Sequence, residues 1–394
     1  MTLLRRSLIA AAALVALLLA AVVVLTLVVD PNVYRDEIEA AVAKASGRQF
    51  DLTGDIEIAW LPWLALETGA AQLGNPHGID APPLLAWDGA RIGVRAWPLV
   101  RGRLVVDRVR FDGLRVHLRA AADGRTNWQS FGAQRGAGGS RAMLIPENAG
   151  LQIRDGALEY VDERTGRKVA IRDWDLDVGA YHSGEPVPVR TAFRYREIPV
   201  AMSIPGLTLD LERLRIAAPA WTLAVGEARF DGAFEAHEQL ARMQGELRGQ
   251  VPSVRALLTG LGGDAPRTRD AGAYGALRVA GSWRYQDGGV QVQPLEIKLD
   301  DTTLSGSVSR SADASPAGAG STGARMWSFE LRGDRIDLDR YREPDDAKGK
   351  PFELPTAALK AAKVRGTLAF DSARVAGVDA KDLTLRVITG KPAT

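Results

Sequence analysis

Carboxylates are the most frequent side chains in this chain that could do chemistry. Asp173, Asp175 and Asp177 alternate with apolar residues, so they share one face of a predicted strand. Oxygen ligands close together could bind calcium, and two carboxylates in a cleft could act as general acid and base. A solvated outer face of a strand explains the same spacing, and we favour it. A second set poses the same alternatives: Asp334, Asp337 and Asp339.

The other residue types used in catalytic and metal sites are sparse. Four histidines and no cysteine occur, which excludes disulfides, thiolate zinc sites and cysteine nucleophiles. No His-Glu-x-x-His, Gly-x-Ser-x-Gly or phosphate-binding loop motif is found. Lys and Arg total 50 against 48 for Asp and Glu, with no basic stripe of the kind that binds nucleic acid. We expect no enzymatic activity, no cofactor, no metal and no nucleic-acid partner.

An uncharged run of 22 residues, from Leu8 to Val29, follows Arg5 and Arg6. A helix of this length crosses the ~30 Å hydrocarbon core of a bilayer. The arginines favour a cytoplasmic N-terminus, because positive charge is enriched on that side. A cleaved signal peptide is the alternative, but its apolar part would be shorter and would end in a small-x-small site. We predict a retained single-pass anchor, with the bulk of the chain beyond the membrane.

The rest of the chain reads as β structure after one helix. Asp30 and Gly47 suit the start and stop of that helix, with an apolar stripe formed by Val33, Ile38, Val42 and Ala45. Beyond it, apolar residues alternate with charged ones, the pattern of strands with one apolar face. Five Asp-Gly pairs predict turns: 112–113, 123–124, 155–156, 231–232 and 287–288. The first pair also fits a bulge in one long strand. Short helices are predicted at 254–261 and 356–363.

The apolar face of so many strands must be covered. Too few helices are predicted to do it, which leaves a second sheet, as in a sandwich, or an open curved sheet whose apolar face holds lipid chains. Alternation of residues fits both arrangements. The candidates for lining a groove are Val109, Phe111, Val116, Leu209, Leu368 and Phe370. Four tryptophans suit an aromatic collar at a membrane surface or ordinary packing, which we favour: Trp60, Trp63, Trp87 and Trp97.

Several phrases of the sequence together resemble the AsmA family of envelope proteins. They are the segment 96–104 (AWPLVRGRL), the phrase 123–128 (DGRTNW), the segment 151–156 (LQIRDG) and the phrase 334–341 (DRIDLDRY). The resemblance implies an inner-membrane-anchored periplasmic protein with a repeating β-groove. It implies movement of phospholipid toward the outer membrane in support of outer-membrane assembly, with no catalytic residues. It also implies that the last module is incomplete, because family members run on through further strands.

We therefore predict a mainly β protein. A single N-terminal transmembrane helix and a short helix precede curved, mostly antiparallel sheet modules that form an open hydrophobic groove. The predicted segments are an anchor (1–29), an N-terminal β module (30–131), a linker (132–150), a central groove module (151–342) and the start of a further module (343–394). The expected partners are phospholipid, the inner membrane and other envelope proteins. A scaffold that assists outer-membrane protein assembly without carrying lipid is the alternative function, and an enzyme acting on envelope polymers is a third.

Overall fold

The structure is a computed structural model, and it divides into two compact units, residues 1–175 and 176–394. Each unit is described by itself. The structure describes residues 30–59, 64–95, 97–98, 101, 103, 105–128, 149–210, 213–237, 241–286, 288–310, 326–344 and 364–388. Both units are mainly β, with open, uncurled sheets and few helices.

The first unit begins with the predicted helix. The Asp30 carboxylate accepts a hydrogen bond from the Asn32 backbone N–H (2.9 Å) and caps a 3₁₀ helix, Pro31–Tyr34. Helix α1 (Arg35–Ser46) follows and ends at Gly47, whose φ of 68° is a left-handed cap. The prediction of a helix between Asp30 and Gly47 is confirmed. Its apolar stripe is shorter than predicted, since Val33 is exposed.

Nine strands lie within the first unit, and a tenth contains the boundary between the units. They are β1 (Phe50–Leu52), β2 (Ile56–Ala59), β3 (Ala65–Thr68), β4 (Ala71–Leu73), β5 (Leu85–Trp87), β6 (Gly89–Val94), β7 (Val106–Asp112), β8 (Arg115–Ala120), β9 (Gly150–Asp162) and β10 (Arg167–Val178). Two series of antiparallel pairs run side by side, β1–β4–β5–β8 and β2–β3–β6–β7. Both β7 and β8 pair in parallel with β9, so this sheet is mixed.

The two series arise because neighbouring strands bend at matching positions. At one bend Gly54 and Gly69 approach so closely that a Cβ atom on Gly54 would lie 2.4 Å from the Cα atom of Gly69. No residue with a side chain fits there. At another, Gly113 has a φ of 64° between β7 and β8, which pair with β9 and not with each other. Asp112-Gly113 is therefore a kink in one long strand. Of the two structures predicted for this pair, the irregularity within a strand is found and the hairpin turn is not.

The core of the first unit lies between α1 and the bent sheet. Phe50, Leu52, Ile56, Ala71 and Leu73 form a buried cluster. Ile38 and Val42 of α1 pack against it, together with Leu66, Leu85 and Trp87. Ile56 is only 1% exposed, and burying a side chain of this size contributes roughly 1.5–3 kcal/mol. One helix is thus enough to cover this part of the apolar face.

Side chains satisfy the backbone at one edge of this sheet. The Asn32 amide accepts from the backbone N–H of Ile56 (2.9 Å) and donates to its carbonyl (3.2 Å), as a neighbouring strand would. The Glu39 carboxylate accepts from the backbone N–H of Leu52 (2.7 Å), and Arg35 donates to the carbonyl of the same residue. Such covering removes the groups through which another strand would pair.

The second unit consists mainly of long strands. They are β11 (Pro186–Tyr195), β12 (Ile198–Asp210), β13 (Arg215–Val225), β14 (Ala228–His237), β15 (Arg242–Val251), β16 (Leu277–Gln286), β17 (Gly289–Leu299), β18 (Thr302–Arg310), β19 (Trp327–Asp337), β20 (Val364–Val375) and β21 (Val378–Ile388). From β11 to β19 each strand pairs antiparallel with the next. Strands β19 and β20 are parallel, and β20 and β21 are antiparallel.

Helix α2 (Val254–Gly260) lies between β15 and β16, as predicted for 254–261, and a 3₁₀ helix, Leu338–Tyr341, follows β19. Two predicted turns are wrong. Asp155-Gly156 and Asp231-Gly232 lie inside β9 and β14. Asp155 has a φ of 51°, so its positive φ bends a continuing strand instead of reversing the chain. The pairing partners on both sides keep these strands extended.

Other predictions concern residues outside those described. They include the anchor residues Arg5, Arg6, Leu8 and Val29, the helix at 356–363 and most of the linker 132–150. None of the described helices has the length and apolar character needed to cross a bilayer. The predicted division into five segments stays a prediction.

Candidate functional site

The register of the second unit places its large apolar side chains on one side of the sheet. We call this side the apolar face. Three rows of directly paired residues cross it from β14 to β19. They are Phe230–Gly249–Val279–Ile297–Leu304–Gly333, Gly232–Leu247–Gly281–Leu295–Gly306–Leu331 and Phe234–Gly245–Trp283–Val292–Val308–Phe329. The pleat of each strand sends the intervening residues to the opposite side.

The large side chains of these rows are half-buried, neither exposed nor enclosed. In the described part of this unit five of the nine fully buried apolar residues are alanines, such as Ala218 and Ala236. Burial is worth about 25 cal/mol per Å², so each half-buried leucine or phenylalanine leaves roughly 1 kcal/mol unrealised. About a dozen such residues lie in the three rows. Together they offer on the order of 10 kcal/mol to an apolar occupant, before the costs of binding.

Glycines shape this face, because aromatic rings lie over them from the neighbouring strand. A Cβ atom at Gly249 would lie 2.8 Å from both Phe230 Cδ1 and Val279 Cγ1. At Gly333 it would lie 2.4 Å from Phe370 Cδ1. The rings therefore fill the places where glycine lacks a side chain, and they gain contacts within a single layer. The result is an apolar surface that needs no second sheet to order its side chains.

The opposite side of the sheet, which we call the polar face, is charged. Asp231 and Arg248 pair across β14 and β15 at 3.5 Å, and Arg332 and Asp371 pair across β19 and β20 at 2.9 Å. A depression of about 660 Å³ on this side is lined by Arg215, Glu235, Gln244, Glu246 and Arg284, among others. Hydrogen bonds from Gln244 and His237, and the charge of Arg215, lower the pKa of Glu235. These charges pair with one another, which is typical of a solvated surface.

The structure places three of the six groove candidates in the first unit. Val109 pairs with Ile92 and Leu151, Phe111 with Ala90 and Ile153, and Val116 with Leu85 and Leu158. All three are half-buried. The ring of Phe111 packs edge-on against Trp87 with centroids 5.2 Å apart, and Trp87 in turn contacts the core below α1. Phe111 therefore lies beside the core of the first unit.

The other three candidates lie on the second unit. Leu209 pairs with Ile216, and Leu368 pairs with Leu331 and Leu385. Both are half-buried; Leu368 extends the row that contains Leu331, whereas Leu209 belongs to a further row on the same side, which continues from Ile216 to Ala236. Phe370 differs, since it is 2% exposed and its ring lies on Gly333. Sequence alternation found three members of this face and missed its densest part, between β14 and β19, where glycines interrupt the apolar pattern.

The tryptophans of the first unit separate into different environments. Trp87 packs on the core, 5.9 Å from the Phe50 ring centroid. Trp97 is 66% exposed, and the Arg101 guanidinium lies 4.5 Å from its ring centroid. Trp60 and Trp63 lie outside the described residues. Ordinary packing therefore explains Trp87, whereas Trp97 keeps the exposure that a collar at a membrane surface needs.

The segment 123–128 has a structural role that the sequence did not reveal. Asn127 is completely buried. Its amide donates to Asn75 Oδ1 (2.9 Å) and to the His117 carbonyl (2.7 Å), and its oxygen accepts from the Arg119 backbone N–H (2.8 Å). A buried amide with these partners satisfied fixes the turn after β8. Asn127 therefore positions the chain that follows β8.

The carboxylates considered as calcium ligands bond to the backbone instead. Asp334 accepts from the backbone N–H of Thr303 (2.9 Å), and Asp339 accepts from those of Ala376 and Gly377 (2.8 and 2.7 Å). The hydrogen bond from Gly377 is the largest cause of the lowered pKa of Asp339. Asp175 accepts from the backbone N–H of Asp155 at 3.2 Å. Within the described residues, no group of three or more His, Asp or Glu side chains could hold a metal ion.

Comparison with known proteins gives one match. The model of the AsmA family matches residues 3–250, well over half of the 394 residues. The match begins at Leu3, before the uncharged run, and continues through β14 and most of β15. No curated protein and no solved structure gives a significant match.

Proposed function

Because this chain belongs to the AsmA family, we propose that it carries phospholipid along its apolar face from the inner toward the outer membrane. Family membership supports an envelope-associated role in outer-membrane assembly or lipid homeostasis. The proposal adds an uncleaved anchor in the inner membrane, formed by the run from Leu8 to Val29, and a periplasmic body. Arg5 and Arg6 then lie on the cytoplasmic side.

One observation supports lipid carriage above the alternatives. The apolar rows between β14 and β19 are ordered by their own glycines and rings, yet remain half-buried in the described residues. A soluble protein rarely keeps a contiguous apolar surface of this extent without an occupant. Acyl chains match it because they are apolar, flexible and free of hydrogen-bonding groups. The charged polar face would remain in contact with water while they are carried.

Site-specific photocrosslinking tests the proposal in intact cells. A diazirine amino acid is placed at Leu247 or Leu331 on the apolar face, and at Arg248 or Arg332 on the polar face of the same strands. Mass spectrometry then identifies what each position captures. We expect phospholipid adducts at the two leucine positions, at least tenfold above the two arginine positions.

The matched positions make the result decisive. Equal capture on both faces would mean adventitious contact with membranes, and absence of lipid at both leucines would refute the proposal. Protein adducts without lipid at Leu247 and Leu331 would instead favour the scaffold that assists outer-membrane protein assembly.

A further inference from the structure

The connection between β15 and β16 leaves the sheet of the second unit. We call residues 252–276 the flap. It contains α2, whose first turn is capped by the Ser253 hydroxyl, which accepts from the Ala256 backbone N–H (3.1 Å). The flap leaves after Val251 and returns at Leu277, and these two residues pair directly. Both ends of the flap therefore meet at one narrow base.

The flap is held together internally. Arg255 donates to the Pro266 carbonyl (2.7 Å), to the Thr268 hydroxyl (2.7 Å) and to the Ala273 carbonyl (3.1 Å). At the base, the backbone N–H groups of Val254 and Arg255 donate to the carbonyls of Gly275 and Tyr274. These bonds join the two halves of the flap, so it can move as one body on a narrow base.

Helix α2 lies against one rim of the apolar face. Ala256, Leu257 and Gly260 line a crevice of about 200 Å³ together with Ile198, Val225 and Val251 of the strand ends. A Cβ atom at Gly260 would lie 2.5 Å from Ile198 Cδ1. Below the helix Ala228 is 2% exposed and Val251 4%, whereas the rows further along the same strands are half-buried. The flap therefore covers the rim row of the face.

Ion pairs, one hydroxyl and two backbone hydrogen bonds hold the flap from outside; in the backbone bonds the N–H groups of Arg269 and Asp270 donate to the carbonyls of Arg342 (2.7 Å) and Arg340 (3.3 Å). Arg340, in the 3₁₀ helix after β19, contacts Asp270 of the flap at 2.6 Å and Asp301 of the β17–β18 turn at 2.7 Å. Tyr341 donates to Asp300 (2.7 Å), which accepts from the backbone N–H groups of Tyr274 and Gly275. The rings of Tyr274 and Tyr341 meet edge to face at 5.2 Å. We call Arg340 and Tyr341 with these partners the clasp.

The two sets of contacts differ in strength. The side chain of Asp301 is 66% exposed and that of Asp270 40% exposed, so water and salt screen the first ion pair strongly and the second in part, which weakens both. The strands below are held by continuous backbone ladders. Opening the clasp therefore requires less free energy than separating β15 from β16. The flap can move away from the sheet while the sheet stays intact.

We propose that the flap is a hinged side wall of the lipid path, closed over the rim of the apolar face by the clasp. Opening it uncovers Val225, Ala228 and Val251 for an acyl chain that enters from the side. This inference rests on the proposed lipid function, and it adds a point of entry and the device that controls it.

The first test measures the clasp without reference to lipid. The full-length protein carries Arg340→Gln with Tyr341→Phe, which removes both ion pairs and the hydroxyl and keeps the ring. Arg332→Gln, on the same strand series and paired with Asp371 away from the flap, is the control. We expect hydrogen exchange in 253–276 to rise at least tenfold in the clasp variant, with exchange in 242–251 unchanged. Unchanged exchange in the flap would overturn the inference.

The second test locks the flap. The chain has no cysteine, so Ile198→Cys with Gly260→Cys introduces a single disulfide where these positions are in contact. A diazirine amino acid at Leu277 reports lipid at the rim, and one at Leu331 reports lipid on the open rows. We expect oxidation to abolish phospholipid capture at Leu277, reduction to restore it, and capture at Leu331 to persist throughout.

The two reporters separate the possible failures. Two outcomes would refute the hinged wall and leave the lipid function standing. In one, the reduced protein captures lipid at Leu331 but not at Leu277; in the other, oxidation leaves lipid capture at Leu277 unchanged. Loss of capture at both positions in the reduced protein would refute the lipid function, and the side wall with it. If the double clasp variant does not fold, hydrogen exchange is measured on the single variant Tyr341→Phe. We expect exchange in 253–276 to rise there too, by less than in the double variant.

Discussion

In both units apolar residues alternate with polar ones along the strands, but the two units bury their apolar side chains to different extents. In the first, α1 lies on the sheet, and Phe50, Leu52 and Ile56 are enclosed. In the second, the rows between β14 and β19 are ordered by glycines and rings and remain half-buried. Enclosure makes stability depend on individual core residues, because each leaves a cavity when it is truncated. In the second unit the side chains are ordered by neighbours in the same sheet. Each residue then contributes less to stability, and the apolar surface stays accessible to a binding partner.

Truncating the enclosed core should have the largest effect. Ile56→Ala is expected to lower the free energy of local opening in the first unit by about 2–5 kcal/mol, since Ile56 is 1% exposed. Leu247→Ala on the apolar face should cost roughly 1 kcal/mol in the second unit, because that side chain is half-buried. Hydrogen exchange of the full-length chain measures both. Equal losses would show that the two units are packed alike.

Filling a glycine on the apolar face should cost less than truncating the core. Gly249→Ala is expected to destabilise the second unit by about 1–3 kcal/mol, because the new methyl group displaces the Phe230 ring or Val279. The control is Gly89→Ala, because a methyl group at Gly89 has room. Gly166→Ala would not serve as a control, because the φ of 70° at Gly166 strains any residue with a side chain. Thermal unfolding compares them. A neutral Gly249→Ala would show that the rings do not depend on the glycine.

Removing the side chain that covers the sheet edge should have a local effect. Asn32→Ala leaves both backbone groups of Ile56 without the amide, at a cost of about 1–2 kcal/mol. Exchange of the Ile56 amide should rise, and exchange in β9 should stay constant. Glu37→Ala, in the adjoining helix α1, is the control. An unaffected Ile56 amide would mean that the edge needs no covering side chain.

The smallest effect should come from pH. Hydrogen bonds, first that from Gly377, lower the pKa of Asp339 below its ordinary value of 3.8, so its contribution to stability is present above that value. The contribution is lost as pH falls through the lowered pKa. The difference in unfolding temperature between the native chain and Asp339→Asn should therefore be constant near neutral pH and shrink in acid. A difference that grows in acid would reverse this assignment.

Local signals predicted the helix after Asp30, helix α2 and the strands whose alternation is regular, such as β7 and β21. Asp30 and Gly47 set the limits of the first helical segment because caps act over a few residues. The Asp-Gly pair at 231–232 failed because ladders on both sides of β14 hold it extended, and those partners are distant in sequence. The parallel pairing of β9 has no local signal at all. A residue pattern also shows which side of a strand is apolar, as at Leu209, but not what lies over it.

The second unit has a consequence for how the protein is made. Every strand from β12 to β19 pairs with the one synthesised immediately before it. Contacts between sequence neighbours close small loops, and these form quickly. A polypeptide that emerges with its N-terminal end first can thus complete each hairpin as it appears, without waiting for distant segments. Such vectorial assembly would keep unpaired strands few at every stage, and unpaired strand edges are prone to aggregate.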